Sequence, residues 1–103
     1  MAQITVVAKA KAKPGSEKEL QRELDAVIGP TRQEKGCLSY VLHRGADDPS
    51  LFVIIERWES REAMTRHLAV PYVQALLSKV PGLVTAPPEF LILENRNNSS
   101  SLL

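Results

Sequence analysis

The sequence predicts an α+β fold in which a four-stranded antiparallel sheet carries helices on one face, the split βαβ arrangement of ferredoxin-like domains. Apolar strand-like segments and helical segments alternate in the order strand, helix, strand, strand, helix, strand. The chain has 103 residues, which is enough for one hydrophobic core. We expect one domain over residues 1–94 and a flexible C-terminal tail over residues 95–103, which is polar and low in complexity.

The first strand, over residues 3–12, is predicted by apolar side chains at every second position: Ile4, Val6, Ala8 and Ala10. Ser16, with Glu19 three residues later, predicts a capping box at the start of the first helix. One apolar helical face follows. The Gly-Pro pair at residues 29–30 is expected to kink the helix rather than end it, and Gly36 is expected to terminate it.

The second and third strands are predicted to form an antiparallel hairpin. Leu38, Tyr40 and Leu42 alternate with other side chains, turn-forming residues span Gly45 to Ser50, and the third strand runs from Leu51 to Trp58. A second helix is expected to begin after Ser60 as its N-cap. Pro71 interrupts that helix and starts a further helical segment, and a fourth strand covers Phe90 to Leu93.

The third and fourth strands carry apolar side chains on both faces, over Leu51–Ile55 and Phe90–Leu93. A sheet face in contact with water shows alternating apolar and polar residues, so both faces of this sheet are expected to be covered. The predicted helices cover one face only. A second copy of the chain, packed sheet on sheet, is the simplest cover for the other, which predicts a homodimer.

The composition excludes several classes of function. Lys and Arg number 13 and Asp and Glu number 12, so the net charge of +1 gives no basic field for nucleic acid or an anionic membrane. The single cysteine excludes an intramolecular disulfide and a four-cysteine zinc site. No apolar run approaches the roughly 20 residues of a membrane helix, and the N-terminus lacks a signal-peptide pattern. A soluble cytoplasmic protein is expected.

Fingerprints of bound cofactors are missing from the sequence. The glycines form neither a G-x-G-x-x-G motif nor a P-loop, and the two histidines lack the spacing of metal ligands. We therefore predict that the protein needs no metal, flavin or haem.

The most informative stretch is Phe52-x3-Glu56-x-Trp58-x-Ser60-x-Glu62-Ala63-x3-His67-x3-Pro71-Tyr72, with Gly36-Cys37-Leu38-x-Tyr40 upstream. Together these motifs resemble the antibiotic biosynthesis monooxygenase (quinol monooxygenase-like) domains, over residues 3–94. The resemblance implies a dimeric α+β barrel and a cofactor-independent monooxygenase acting on a quinol or polyphenol with dioxygen. Many relatives carry a second histidine where this chain has Tyr72, so a role for that histidine in proton transfer does not carry over.

His67 is the candidate catalytic residue, because it is the one side chain of this set that titrates near neutral pH and could take a proton from a phenol or an enediol. It shares the inward face of the second helix with Ala63 and Met64. Replacing it by alanine is expected to lower turnover and leave the melting temperature nearly unchanged. The alternative is a structural histidine that satisfies a buried carboxylate such as Glu56.

Four further residues are candidates for substrate binding: Trp58, Tyr40, Tyr72 and Glu56. Trp58 could form an aromatic wall with a free indole N–H, or it could fill the core. Glu56 lies on an apolar phase of its strand, which favours an ion pair to a helix or across the dimer over catalysis. For the two tyrosines, contact with a ligand and plain packing are equally favoured.

Other functions use the same pocket. A proton-shuttling isomerase of a small hydroxyketone signalling molecule needs acid–base groups but consumes no oxygen. A non-enzymatic dimer would only bind a hydrophobic ligand. Haem degradation is disfavoured, since haem-degrading relatives use an Asn on the first strand and none occurs between Gln3 and Ala12.

Overall fold

The computed structural model describes residues 2–97. Its four strands form one antiparallel sheet in the order β2-β3-β1-β4. The strands are β1 (Ile4–Lys11), β2 (Cys37–Arg44), β3 (Leu51–Trp58) and β4 (Glu89–Glu94). The order and direction confirm the predicted α+β, ferredoxin-like arrangement, including the β2–β3 hairpin.

The helices pack against a single phase of the strands. They are α1 (Glu17–Ala26), α2 (Ile28–Arg32), α3 (Arg61–Ala69) and α4 (Pro71–Lys79), with a 3-10 turn at Val80–Gly82. No helix within residues 2–97 has the length and apolar character that would cross a membrane.

The first helical segment is divided at Val27, two residues before the Gly-Pro pair at residues 29–30. α1 ends at Ala26 and α2 begins at Ile28. Pro30 has no N–H to donate to the Ala26 carbonyl four residues before it, so the hydrogen-bond ladder is interrupted there. The helical direction then continues through α2, because the Thr31 N–H reaches the Val27 carbonyl at 3.0 Å.

The capping box predicted at Ser16 and Glu19 is wrong. Ser16 has φ −104° and ψ 5°, outside the extended conformation of an N-cap, and its side chain makes no capping hydrogen bond. The Glu17 carboxylate instead accepts from the Gly15 N–H at 3.0 Å. The Ser60 cap is confirmed: its backbone is extended and its hydroxyl accepts from the Ala63 N–H at 3.1 Å.

Gly36 determines how closely α3 approaches the start of β2. Its φ is +90°, and a Cβ built there would lie 2.6 Å from the Ala63 Cβ. Only glycine combines the left-handed backbone with so short a contact. The N-terminal half of α3 is therefore held against the turn that precedes β2.

The core lies between the sheet and the helices and has two parts. One part gathers around Leu20, Tyr40, Phe52 and Leu76, and the other around Ile4, Trp58 and Met64. Tyr40 and Glu56 are direct neighbours across β2 and β3, and Val6 and Glu56 are direct neighbours across β1 and β3. Glu56 thus stands at the centre of the helix-covered face.

The other face of the sheet is apolar and uncovered within residues 2–97. Ile55, Val41, Leu91 and Leu93 are between 39% and 58% exposed there, and every residue of β4 is exposed. In the predicted tail, the Asn95 N–H donates to the Gln3 carbonyl, while residues 98–103 lie outside the described residues.

Replacing Ser60 by alanine is expected to lower the free energy of unfolding by about 1 kcal/mol, because the Ala63 N–H loses its buried acceptor. Ser16→Ala is the matched control and is expected to change stability much less, since Ser16 makes no capping bond. Urea unfolding measures both, with the fluorescence of the single, fully buried tryptophan as the signal. Equal losses in the two variants would contradict the assignment.

Candidate active site

A small apolar cavity lies between the sheet and helices α1, α3 and α4. It measures about 70 Å³, and a separate groove of about 350 Å³ runs beside it along β4. Glu56, Leu68, Leu77 and Phe90 border both spaces. Most of the lining is aliphatic or aromatic, which suits an apolar ligand with few polar groups.

Three of the predicted site residues meet in this cavity: His67, Tyr40 and Glu56. His67 projects inward because it lies one helical turn beyond Ala63 on the buried face of α3. Tyr40 and Glu56 face the same way because they are paired across β2 and β3. All three are at most 7% exposed.

Trp58 lies beside the cavity and does not line it. The indole is 0% exposed and packs on His67, with the ring centroids 4.8 Å apart. Its N–H donates to Glu56 Oε1 at 2.9 Å, so it is not free for a ligand, as one of the two predicted alternatives required. Trp58 therefore fills the core and holds the Glu56 carboxyl in place.

The partner of His67 is Glu34, not the Glu56 that the structural interpretation had suggested. His67 Nδ1 lies 2.8 Å from Glu34 Oε2. The Tyr72 hydroxyl donates to the same oxygen, so Tyr72 joins this cluster rather than the cavity wall. Glu34 comes from the turn between α2 and β2, far from α3 in sequence.

Sequence reasoning missed Glu34, which reads as an ordinary helix-forming residue. One signal was available. A carboxylate just beyond the C-terminus of a helix opposes the helix dipole, so an acidic residue two positions before the terminating Gly36 is unfavourable unless it has a partner elsewhere.

Burial dominates the electrostatics of the cavity. It raises the pKa of Glu56, with Trp58 and His67 opposing the shift and the Glu34 carboxylate adding to it. Burial and then the Glu56 charge raise the pKa of Tyr40. Burial and the hydrogen bond to Glu34 raise the pKa of Tyr72 to about 12. Both phenols are therefore hydrogen-bond donors at neutral pH.

Cys37 lies where β2 begins and packs against both parts of the core. Burial, followed by the charges of Glu34 and Glu56, raises the pKa of its thiol. The thiol is thus protonated at neutral pH and unsuited to nucleophilic attack.

The site's polar groups suit proton transfer on an apolar ligand. A neutral histidine is a base, the two phenols are donors, and a carboxyl with a raised pKa exchanges a proton closer to neutral pH. Within residues 2–97, no cluster of three or more His, Cys, Asp or Glu side chains is placed to hold a metal ion.

The chain is similar to known proteins over most of its length. Residues 3–79 match the protein family described as "Antibiotic biosynthesis monooxygenase". The chain is 35% identical over 98 residues to the Mycobacterium tuberculosis protein named "Putative monooxygenase Rv0793", covering 95% of this chain and 96% of the relative. Bacillus subtilis YcnE, which carries the same description, is 29% identical over 84 residues, covering 82% of this chain and 88% of YcnE.

Solved structures show the same fold. The structure of Rv0793 superposes with a TM-score of 0.90 at 34% identity, covering 95% of this chain and 99% of that chain. The structure of PA3566 from Pseudomonas aeruginosa superposes with a TM-score of 0.86 at 31% identity, covering 93% and 96%. The family resemblance drawn from the sequence motifs is confirmed.

The buried Glu56 carboxyl predicts a pH-dependent difference between the wild-type protein and Glu56→Gln. Folding raises the pKa of Glu56, so protonation of this carboxyl favours the folded state. That contribution to stability is complete below the ordinary pKa of 4.5 and is lost as the pH rises through the pKa of the folded protein. The free energy of unfolding of the wild type, relative to Glu56→Gln, should therefore fall as the pH increases.

Urea unfolding of both proteins between about pH 4 and pH 8 measures this difference. Glu89→Gln, at an exposed position on β4, is the control and should show no comparable trend. A constant difference between wild type and Glu56→Gln across the range would contradict the raised pKa.

Proposed function

This chain belongs to the antibiotic biosynthesis monooxygenase family, and on that basis we propose that it is a cofactor-independent monooxygenase that oxidises a quinol or polyphenol-type small molecule. The ligand would bind between the sheet and helices α3 and α4. The observation that carries the proposal is the meeting of His67, Tyr40 and Glu56 in a cavity lined mostly by apolar side chains.

The reaction begins with the phenol. His67 takes the hydroxyl proton, which leaves an electron-rich phenolate that passes one electron to dioxygen. The phenoxyl radical and superoxide combine at a ring carbon, and the peroxide regains the proton. Loss of water then leaves one oxygen atom as a ring carbonyl, so that phenol and dioxygen become quinone and water.

The lining of the cavity supports each step. The aliphatic walls exclude water, which would otherwise quench the phenolate and the radical pair. Tyr40 remains protonated because its pKa is raised, so it is a donor for the oxyanion. Glu56, with Trp58 bonded to Oε1, presents a further polar contact for a second ring hydroxyl.

A proton-shuttling isomerase is the second candidate. It is favoured by one observation, namely that a carboxyl with a raised pKa and a histidine border the same cavity. Such a pair could move a proton between the carbons of a small hydroxyketone. Oxygen consumption during turnover separates the two functions, since only the monooxygenase uses dioxygen.

We also propose that the protein works as a homodimer. The uncovered face of the sheet presents the aliphatic side chains of Val41, Ile55, Leu91 and Leu93. Arg57, on this face, donates to Gln3 Oε1 at 2.7 Å. A second copy of the same face would bury this surface, sheet on sheet.

His67→Gln should lower the turnover of an oxidisable quinol tenfold or more, since general-base assistance is worth about 10²–10⁴ in rate. The sequence predicted that replacing His67 would leave the melting temperature nearly unchanged, and the structure changes that prediction. His67 is 3% exposed and bonded to Glu34, so the substitution should also lower the melting temperature. An oxygen electrode and a thermal melt measure the two effects. Full activity in a folded His67→Gln protein would place the base elsewhere.

Sedimentation equilibrium should report twice the chain mass of 11.4 kDa for the wild type. Ile55→Lys or Leu91→Lys should shift the monomer–dimer equilibrium toward the monomer, because either substitution places a charge in the apolar contact. Thr65→Lys, at an exposed position on α3, is the control and should remain dimeric. A folded wild-type monomer at micromolar concentration would contradict the sheet-on-sheet dimer.

A further inference from the structure

We propose that Glu34 is a positioning residue that fixes His67 in the tautomer with its proton on Nδ1, leaving Nε2 as the base. This role rests on the proposed function, because Glu34 would orient the histidine that acts as the base. It assigns Glu34 no contact with the substrate.

The chemistry of the contact sets the tautomer. Glu34 Oε2 accepts a hydrogen bond from the Tyr72 hydroxyl, so this carboxyl oxygen is an acceptor. At 2.8 Å from the same oxygen, His67 Nδ1 must therefore carry the proton. In the neutral imidazole, Nε2 then holds the free lone pair.

The ring is also held against rotation. Trp58 stacks at a tilt of 36° with its centroid 4.8 Å away, and Tyr40 contacts the imidazole edge-on at 5.8 Å. Since Nε2 lies on the opposite side of the ring from Nδ1, the bond to Glu34 turns the basic nitrogen away from the α2–β2 turn. His67 borders the cavity, and the proposed reaction requires a basic nitrogen on the cavity side of the ring.

Glu34 itself is fixed by its backbone. Its N–H donates to the Thr31 carbonyl at 3.0 Å, and its carbonyl accepts from the Cys37 N–H at 3.1 Å. Gly36 then brings this turn against α3, with the Gly36 carbonyl accepting from the Glu59 N–H at 2.8 Å. The carboxylate thus reaches His67 from a turn that is hydrogen-bonded on both sides.

The tautomer is measurable without a substrate. Long-range ¹H–¹⁵N correlation spectra report which imidazole nitrogen carries the proton, and the chain has only two histidines. The exposed His43 is the internal reference, and His43→Asn assigns the spectrum. The expected wild-type result at neutral or mildly alkaline pH is a protonated Nδ1 and an unprotonated Nε2 for His67.

Glu34→Ala should abolish this preference and populate the Nε2–H tautomer. Glu34→Leu, which fills a similar volume without an acceptor, repeats the test if the alanine variant folds poorly. Tyr72→Phe is the matched control, because it removes the other hydrogen bond to Oε2 and leaves the His67 contact; it should keep Nδ1 protonated. An Nε2–H tautomer in the wild type, or an unchanged Nδ1–H tautomer without Glu34, would overturn the proposal.

Turnover separates this inference from the proposed function. In an active quinol assay, Glu34→Ala should lower kcat tenfold or more with a smaller change in KM, and Tyr72→Phe should lower kcat less. If the tautomer changes as expected while His67→Gln retains full turnover, the proposed function fails and the positioning of His67 by Glu34 stands.

Discussion

The hydrogen bond between Glu34 and His67 joins the two halves of the chain at the point where the cavity forms. Glu34 belongs to the turn that leads into β2, and His67 belongs to α3, which follows β3. Other local features serve this contact. Gly36 allows α3 to come close, and Trp58 supports the imidazole from the sheet. Burying a polar ring in an apolar interior costs free energy unless the ring is hydrogen-bonded. The contact with Glu34 gives the His67 imidazole such a partner.

Glu34 and Glu56 place the same chemical group in two different environments within one site. Glu34 Oε2 lies 2.8 Å from His67 Nδ1 and accepts from the Tyr72 hydroxyl. Glu56 has the indole N–H as its hydrogen-bond donor and lies deeper in the apolar face, so burial outweighs that single bond. Two carboxyls near one imidazole with different environments are typical of sites that separate the roles of acid and base.

Local periodicity predicted the elements and the direction of their side chains. The alternation in β3 placed Glu56 and Trp58 on one face, and the helical spacing in α3 turned His67 inward, as the structure has them. The partners of these residues could not be predicted in the same way. Glu34 meets His67 only because the backbone at Gly36 allows two segments distant in sequence to touch. The Ser16 cap failed for a related reason, since the backbone at Ser16 adopts a conformation that sequence alone does not fix.

Cys37 bears on the durability of a protein that would generate peroxide and radicals beside its own core. Thiols are damaged by oxidants chiefly as thiolates, in proportion to their ionised fraction and their access to solvent. Burial and the two neighbouring carboxyls keep this sulfur in the protonated form. The same surroundings that shape the site thus keep the ionised fraction of the chain's single cysteine low, which slows its oxidation to a sulfenic acid.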